Sequence, residues 1–166
     1  MVDISKVKND QKLMLWEQLK SARAVMLGSP IHLDHMQPMA PNASPDENAV
    51  WFFTKSDSEL AKVAAAGGDV HLCLISAEQD YHACLLGELK TLRSQPHINK
   101  YWSAVVAAWF PEGKESETVT LLRFTPRDAQ FWASSGSTLN FAWQIAKANV
   151  TGHEPDVGFS ARMKLP

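Results

Sequence analysis

Cysteine is scarce in this chain: its 166 residues hold two, Cys73 and Cys84. Two cannot build a disulfide framework. Neither a CxxC pair nor a Cys-His-acid spacing surrounds them, so a thiol enzyme has weak support. Charge of one sign is missing as well. The 16 Lys and Arg against 18 Asp and Glu leave a formal net charge of −2, which gives no electrostatic case for nucleic acid or an anionic membrane surface. No run of about 18 apolar residues occurs, so nothing reads as a membrane-spanning helix. There is no GxGxxG and no Walker loop, and nucleotide binding by those routes is unsupported. The N-terminal MVDISKVKNDQK has no apolar signal core, which makes a cytoplasmic location the expectation. Internal repeats and low-complexity segments are absent too.

What remains is an ordinary globular composition, 45% hydrophobic and 20% charged. The length fits one domain over residues 1–166, with an N-terminal helix up to residue 21 and a C-terminal helix and tail over 134–166. A domain this size buries roughly 70% of the unfolded chain's surface, so it needs no metal or disulfide staple.

The most informative stretch is Asn48 to Gly68, NAVWFFTKSDSELAKVAAAGG. Ala49 to Phe53 is aromatic and β-branched, which suits a half-buried strand. Thr54 to Ser58 supplies three hydroxyls, Asp57 and the cation Lys55. Ser56 with Glu59 fits a capping box, so the spacing predicts a helix from near Asp57, stopped by Gly67 and Gly68. A helix start carries unpaired N–H groups and partial positive charge. With hydroxyls beside it, that end can seat a phosphate; equally, Ser56 can simply cap a surface helix.

Elsewhere, Leu13, Trp16 and Leu19 repeat at helical spacing within Asp10 to Ser21. Ala22–Gly28 and Ile31–Ala40 read as strands around a Gly-Ser-Pro turn, with Pro38 arguing for an edge or a bulge. His32 and His35, three apart on a strand, face opposite sides, and no metal site is expected. PNASPDEN at Pro41–Asn48 reads as a polar loop. Asp69–Ser76 and Tyr81–Leu92 form a hairpin with a four-residue loop. If Ser76 pairs with Tyr81, Cys73 falls opposite Cys84 and His71 opposite Leu86. A disulfide is sterically conceivable there; two reduced, buried thiols are the expectation in a cytoplasmic protein. Ser94 and Pro96 open a helix running to Trp109. Two aromatics follow in the Trp109-Phe110-Pro111 turn, which either fold back on the core or cover something. Thr118–Thr125 and Arg127–Ala133 read as two strands with a corner at Pro126. Ser137–Val150 reads as a helix, and HEPDVGFSARMKLP as an extended tail. Hairpin-like connections between short strands point to an antiparallel barrel decorated with helices, not to a doubly wound sheet.

QPMA at Gln37–Ala40, VWFFTKSDSELAKV at Val50–Val63 and Gly87 in its strand resemble the pyridoxamine 5'-phosphate oxidase-like split barrels. YWSAVVAAWFPEG at Tyr101–Gly113, TLLRFTPRDAQFW at Thr120–Trp132 and TGHEPDVG near the C-terminus resemble the general stress protein 26 branch of that group. The resemblance implies an α+β fold: a mainly antiparallel split β-barrel of about six to seven strands with peripheral helices. It also implies a homodimer with FMN held at the dimer interface. Phe53 and Thr54 match the strand end along the flavin and its ribityl chain, and Ser58 a phosphate-contacting hydroxyl. His82 matches a side chain near the ring's pyrimidine edge. Pro38 and Met39 match backbone bordering the flavin, and the turn at Trp109 the part that covers the ring. Gln37 stands where many members have Arg, and Leu60 where Lys is usual. A phosphate dianion prefers charge-assisted donors, so either Lys55, Lys62 or the helix end compensates, or FMN affinity is weak or the ligand has changed. The implied function is that of an FMN-binding stress-type flavoprotein with redox chemistry on a small substrate. The competing reading is a non-catalytic dimeric binding or interaction protein on the same fold, with weak or lost FMN binding. No acid, base or nucleophile constellation stands out, so no catalytic residue is assigned. Pyridoxamine phosphate oxidation itself is disfavoured, because the substrate-phosphate residues and C-terminal segment of those enzymes find no match.

Overall fold

A computed structural model of the chain describes residues 2–29, 31, 35–134, 138–152 and 158–165. Two short helices open it, α1 (Ile4–Asn9) and α2 (Gln11–Ser21), each started by an aspartate. Asp3 accepts from the Ser5 and Lys6 N–H groups, and Asp10 from that of Leu13. Strands β1 (Val25–Gly28), β2 (Gln37–Met39) and β3 (Asn42–Ser44) follow, then a 3₁₀ turn over Pro45–Glu47. Next come β4 (Ala49–Lys55), α3 (Glu59–Ala66) and the hairpin β5 (Gly68–Ile75) and β6 (Tyr81–Thr91). The helices α4 (Gln95–Tyr101) and α5 (Ala104–Trp109) lead to β7 (Val119–Ser134), α6 (Thr138–Thr151) and β8 (Gly158–Lys164).

All strand pairings are antiparallel, in the order β2-β1-β5-β6-β7-β4-β3 with β8 added on β7. The two ends of this path, β2 and β3, are separated only by Ala40 and Pro41. The chain itself therefore draws the sheet into a curl, and the fold is the expected split barrel of the α+β class. Inside the curl lies the main core, with Leu27, Phe52, Leu72, Leu85, Phe124 and Phe131 from the sheet and Leu15 and Leu19 from α2. A second core sits behind β4, where Ala49, Trp51 and Leu121 meet Ile98 of α4 and Phe110. Successive strand residues point to opposite faces. Val50 and Phe52 thus enter the first core while Ala49 and Trp51 enter the second, which is why this stretch is apolar at every position.

Several elements differ from the sequence expectation. The two strands expected around Pro126 are one strand, β7. Its first half pairs with β4 as far as Phe124, and its second half pairs with β8 from Asp128. Pro126 falls in the gap between them, so its missing N–H leaves no ladder partner short on that side. Opposite it, the β6 register shifts between Leu86 and Gly87. A Cβ on Gly87 would meet the Thr125 carbonyl oxygen and lie 2.7 Å from the Phe124 ring. The helix expected over 94–109 is two, broken at Trp102, with Ser103 accepting from the Val106 N–H to start the second. The expected strand over 31–40 shortens to β2, an edge strand as Pro38 requires; Pro30 of the preceding turn and residues 32–34, His32 among them, lie outside the described residues. β3 lies in the expected polar loop. The expected tail pairs as β8 over residues 158–164, while residues 153–157 of TGHEPDVG lie outside the described residues. Among the described residues, no helix is long and apolar enough to cross a membrane.

Candidate functional site

The turn after β4 is built as follows. The Ser56 N–H donates to the Thr118 carbonyl, which extends the β4–β7 ladder by one bond. The Ser58 N–H then closes a turn onto the Lys55 carbonyl. This moves the helix cap from Ser56, where the capping box placed it, to Ser58. The Ser58 hydroxyl accepts from the Ala61 N–H at 3.1 Å and from the Thr54 hydroxyl at 2.9 Å. With both lone pairs engaged, its own proton remains as a donor. The first intrahelical bond runs from the Lys62 N–H to the Ser58 carbonyl, so the Glu59 and Leu60 N–H groups have no helical acceptor. Gly67 ends α3 in the left-handed region at φ 70°, as expected.

Two side chains temper the electrostatics of this helix start. Glu59 adds a carboxylate to the first turn, but it pairs with Lys62 at 2.7 Å. Lys62 is therefore engaged already, while Lys55 is exposed at the strand end. Leu60 is fully buried in the main core. The position that the resemblance matches to a lysine points inward here, so it has no counterpart at the turn.

Beside the turn, Phe53 stands edge-on to Trp102 with ring centroids 5.8 Å apart, and Phe110 lies 6.3 Å from each of them. Of the two turn aromatics, Phe110 folds back into the second core while Trp109 is 74% exposed. α5 buries no residue fully, and Val105 is exposed next to Trp109.

The other expected site residues lie apart. Gln37, Pro38 and Met39 form β2 against β1, with Pro38 exposed and Met39 packed on the main core. His82 stands on the outer face of β6 between Ile75 and Trp132. With Trp132, Ser134, Gly158, Phe159 and Ser160 it lines a surface hollow of about 300 Å³. In the register, Thr54 faces Thr120 and His82 faces Trp132, twelve residues apart on β7. At about 3.3 Å per residue that is roughly 40 Å of strand contour. Thr54 also shares the inward parity of Phe52, whereas His82 is on the outer side. Within one chain, His82 and the Thr54–Ser58 turn do not form one site.

One cluster has no trace in the sequence pattern. Glu47 accepts from Trp51 Nε1 at 2.8 Å, and its other oxygen lies 3.3 Å from His97 Nε2 and 3.5 Å from Lys100 Nζ. His97 stacks on Trp51 at 4.1 Å, and its Nδ1 lies 2.7 Å from the Ser94 hydroxyl. Partial burial works to raise the pKa of the Glu47 carboxyl. The bonds from Trp51 and His97 and the charge of Lys100 outweigh it and hold the carboxyl below the ordinary range. These residues are spread from 47 to 100, so no local spacing announces them. The cluster fastens α4 to β4, the floor of the aromatic corner. Among the described residues, no three His, Cys, Asp or Glu side chains gather as a metal-binding group.

Comparison with known proteins gives a consistent result. A family model described as pyridoxamine 5'-phosphate oxidase like matches residues 10–156. A structure from Jannaschia sp. CCS1, provisionally named general stress protein 26, is 30% identical with a TM-score of 0.80, covering 95% of this chain and 99% of its own. The general stress FMN/FAD binding protein of Xanthomonas citri is 32% identical with a TM-score of 0.71, covering 78% of this chain and 92% of its own. An FMN binding, pyridoxamine 5'-phosphate oxidase-related protein of Nostoc punctiforme PCC 73102 shares the fold at 14% identity and a TM-score of 0.58, covering 99% and 98%. No curated protein matches the chain.

Proposed function

Since the chain belongs to the pyridoxamine 5'-phosphate oxidase-like family, we propose that it is a dimeric FMN-binding protein of the general stress type. The observation that carries this is the Thr54–Ser58 hydroxyl pair beside the open start of α3. The donor left on the Ser58 hydroxyl and the free N–H groups of Glu59 and Leu60 suit an anion, and Lys55 adds a charge from the strand end. These donors fit a phosphate. They are fewer and less charged than the family pattern, because Gln37 and the buried Leu60 occupy its usual basic positions. Phe53 and the aromatic corner offer an apolar wall for a planar ring. The exposed Trp109 and Val105 call for cover, and a second copy of the chain is the commonest way to supply it. A partner would also bring its own outer sheet face, with His82, toward a site that one chain leaves open.

Bound FMN would supply the redox chemistry; the protein's part is to bind it, orient it and limit water. The described residues offer no separate acid–base machinery at the turn. A second reading, a dimeric binding protein with lost FMN affinity, draws on one observation: the missing cations at positions 37 and 60. A fluorescence-quenching titration separates the two. FMN should quench on binding, and Ser58→Ala should weaken FMN by about 0.5–1.5 kcal/mol, the worth of one hydrogen bond, while riboflavin, which lacks the phosphate, is unaffected. Equal losses for both ligands would remove the phosphate seat, and no quenching by either would favour the second reading.

A further inference from the structure

The outer face of the sheet breaks the pattern of a face left to water. The inward positions of β5 and β6 lie in the main core, and a solvated outer face would carry polar residues between them. Instead, three neighbouring rows across β1, β5, β6 and β7 place Met26, Cys73, Ile75, Cys84, Leu86 and Trp132 outward. None of the six is charged. The two cysteines, expected to be buried within the chain, are free and half-exposed there, with Sγ atoms 3.7 Å apart. Met26, Ile75 and Trp132 are more exposed still. An apolar patch of this kind marks a contact surface. At its β8 margin, Arg162 and Lys164 share the one carboxylate of Asp128, which leaves a positive charge over.

α5 and the turn behind it form the complementary surface. The helix, AVVAAW, carries no charge and buries no residue fully. Residues 111–117, PEGKESE, hold three glutamates and one lysine, none of them in an ion pair among the described residues. We propose that α5 of each chain docks on the outer sheet face of a second copy, over the Cys73–Cys84 row, with its acidic turn toward Arg162 and Lys164. This rests on the dimer proposed above and names the surfaces that form it. A twofold axis makes the exchange self-consistent, since each chain gives one helix and receives the other. Uncharged surface meets uncharged surface, and at the margin opposite charges meet. Both thiols then lie beneath the partner's helix, and His82 comes beside the partner's aromatic corner.

The test is native labelling of the thiols by N-ethylmaleimide in the FMN-saturated full-length protein, counted by intact mass, with light scattering on the same samples. Burial and the neighbouring Cys84 push the Cys73 thiol up to about 11. That alone slows labelling, so the reference must be the same thiols without the partner. Val105→Asp, at an exposed position, should give a monomer whose cysteines label faster than those of wild type by about tenfold or more. Dilution of wild type until it dissociates should do the same. A dimeric wild type that labels as fast as the dissociated protein would overturn this docking and leave the dimer standing. A Val105→Asp protein that stays dimeric would overturn the docking as well. A wild type that is monomeric at micromolar concentration would remove the dimer with it.

Discussion

At the scale of single residues, the turn after β4 was legible as a place and misplaced in detail. A run of hydroxyls between an aromatic strand and an alanine-rich helix announces a helix start. Which serine caps it depends on the bond from the Ser56 N–H to Thr118, a residue over sixty positions away. Local spacing carries no trace of that bond. Leu60 illustrates the same limit, because only the packing of α3 on the sheet shows that it faces the core. Glu47 yields a residue-scale prediction. Its folded-state pKa is depressed, so its interactions stabilise the protein above the ordinary glutamate range and are lost as pH falls through the lowered value. Glu47→Gln should therefore cost about 1–2 kcal/mol near neutral pH, one charge-assisted hydrogen bond discounted for partial exposure. The gap should close in acid. Urea midpoints of both proteins across pH measure it; a gap that stays constant into acid would mean that the carboxylate charge does not matter.

At the scale of elements, the hairpin's register was read to the residue, because alternation and a four-residue loop leave one register that keeps Leu72, Leu74, Leu85 and Tyr81 inside. β3 could not be read, since Asn42-Ala43-Ser44 is polar and pairs only because β4 lies beside it. β8 had a signal that was overlooked. Phe159, Ala161 and Met163 alternate with Ser160, Arg162 and Lys164, and the first set packs on the main core. Arg162 and Lys164 both pair with Asp128 across the ladder, at 2.9 Å each. Beyond the strand, Leu165 is buried and its N–H donates to the Arg127 carbonyl. Ending the chain at residue 157 should remove this cover and open the edge of β7. Loss of Leu165 burial alone is worth about 1.5–3 kcal/mol, so the urea midpoint should drop clearly, and the bare edge should promote association that rises with concentration. An unchanged midpoint with no association would show that β8 adds nothing to the fold.

At the scale of the whole molecule, the sheet separates the two groups of residues that the proposed site would draw on. The turn at Thr54–Ser58 and the outer-face His82 are about 40 Å of strand contour apart in one chain. Sequence resemblance joined them because it orders residues along a chain and is silent about which copy supplies each. The exposed Trp109 and Val105 on α5 make the same point from the side of burial, as large apolar groups with no cover among the described residues. The proposed twofold pairing, in which each flavin would draw on two chains, accounts for both features. The direct measurement is light scattering of the purified protein saturated with FMN, with flavin counted by absorbance. The account predicts a particle of twice the 18.4 kDa chain mass carrying one FMN per chain. A particle of 18.4 kDa that still holds FMN would contradict it.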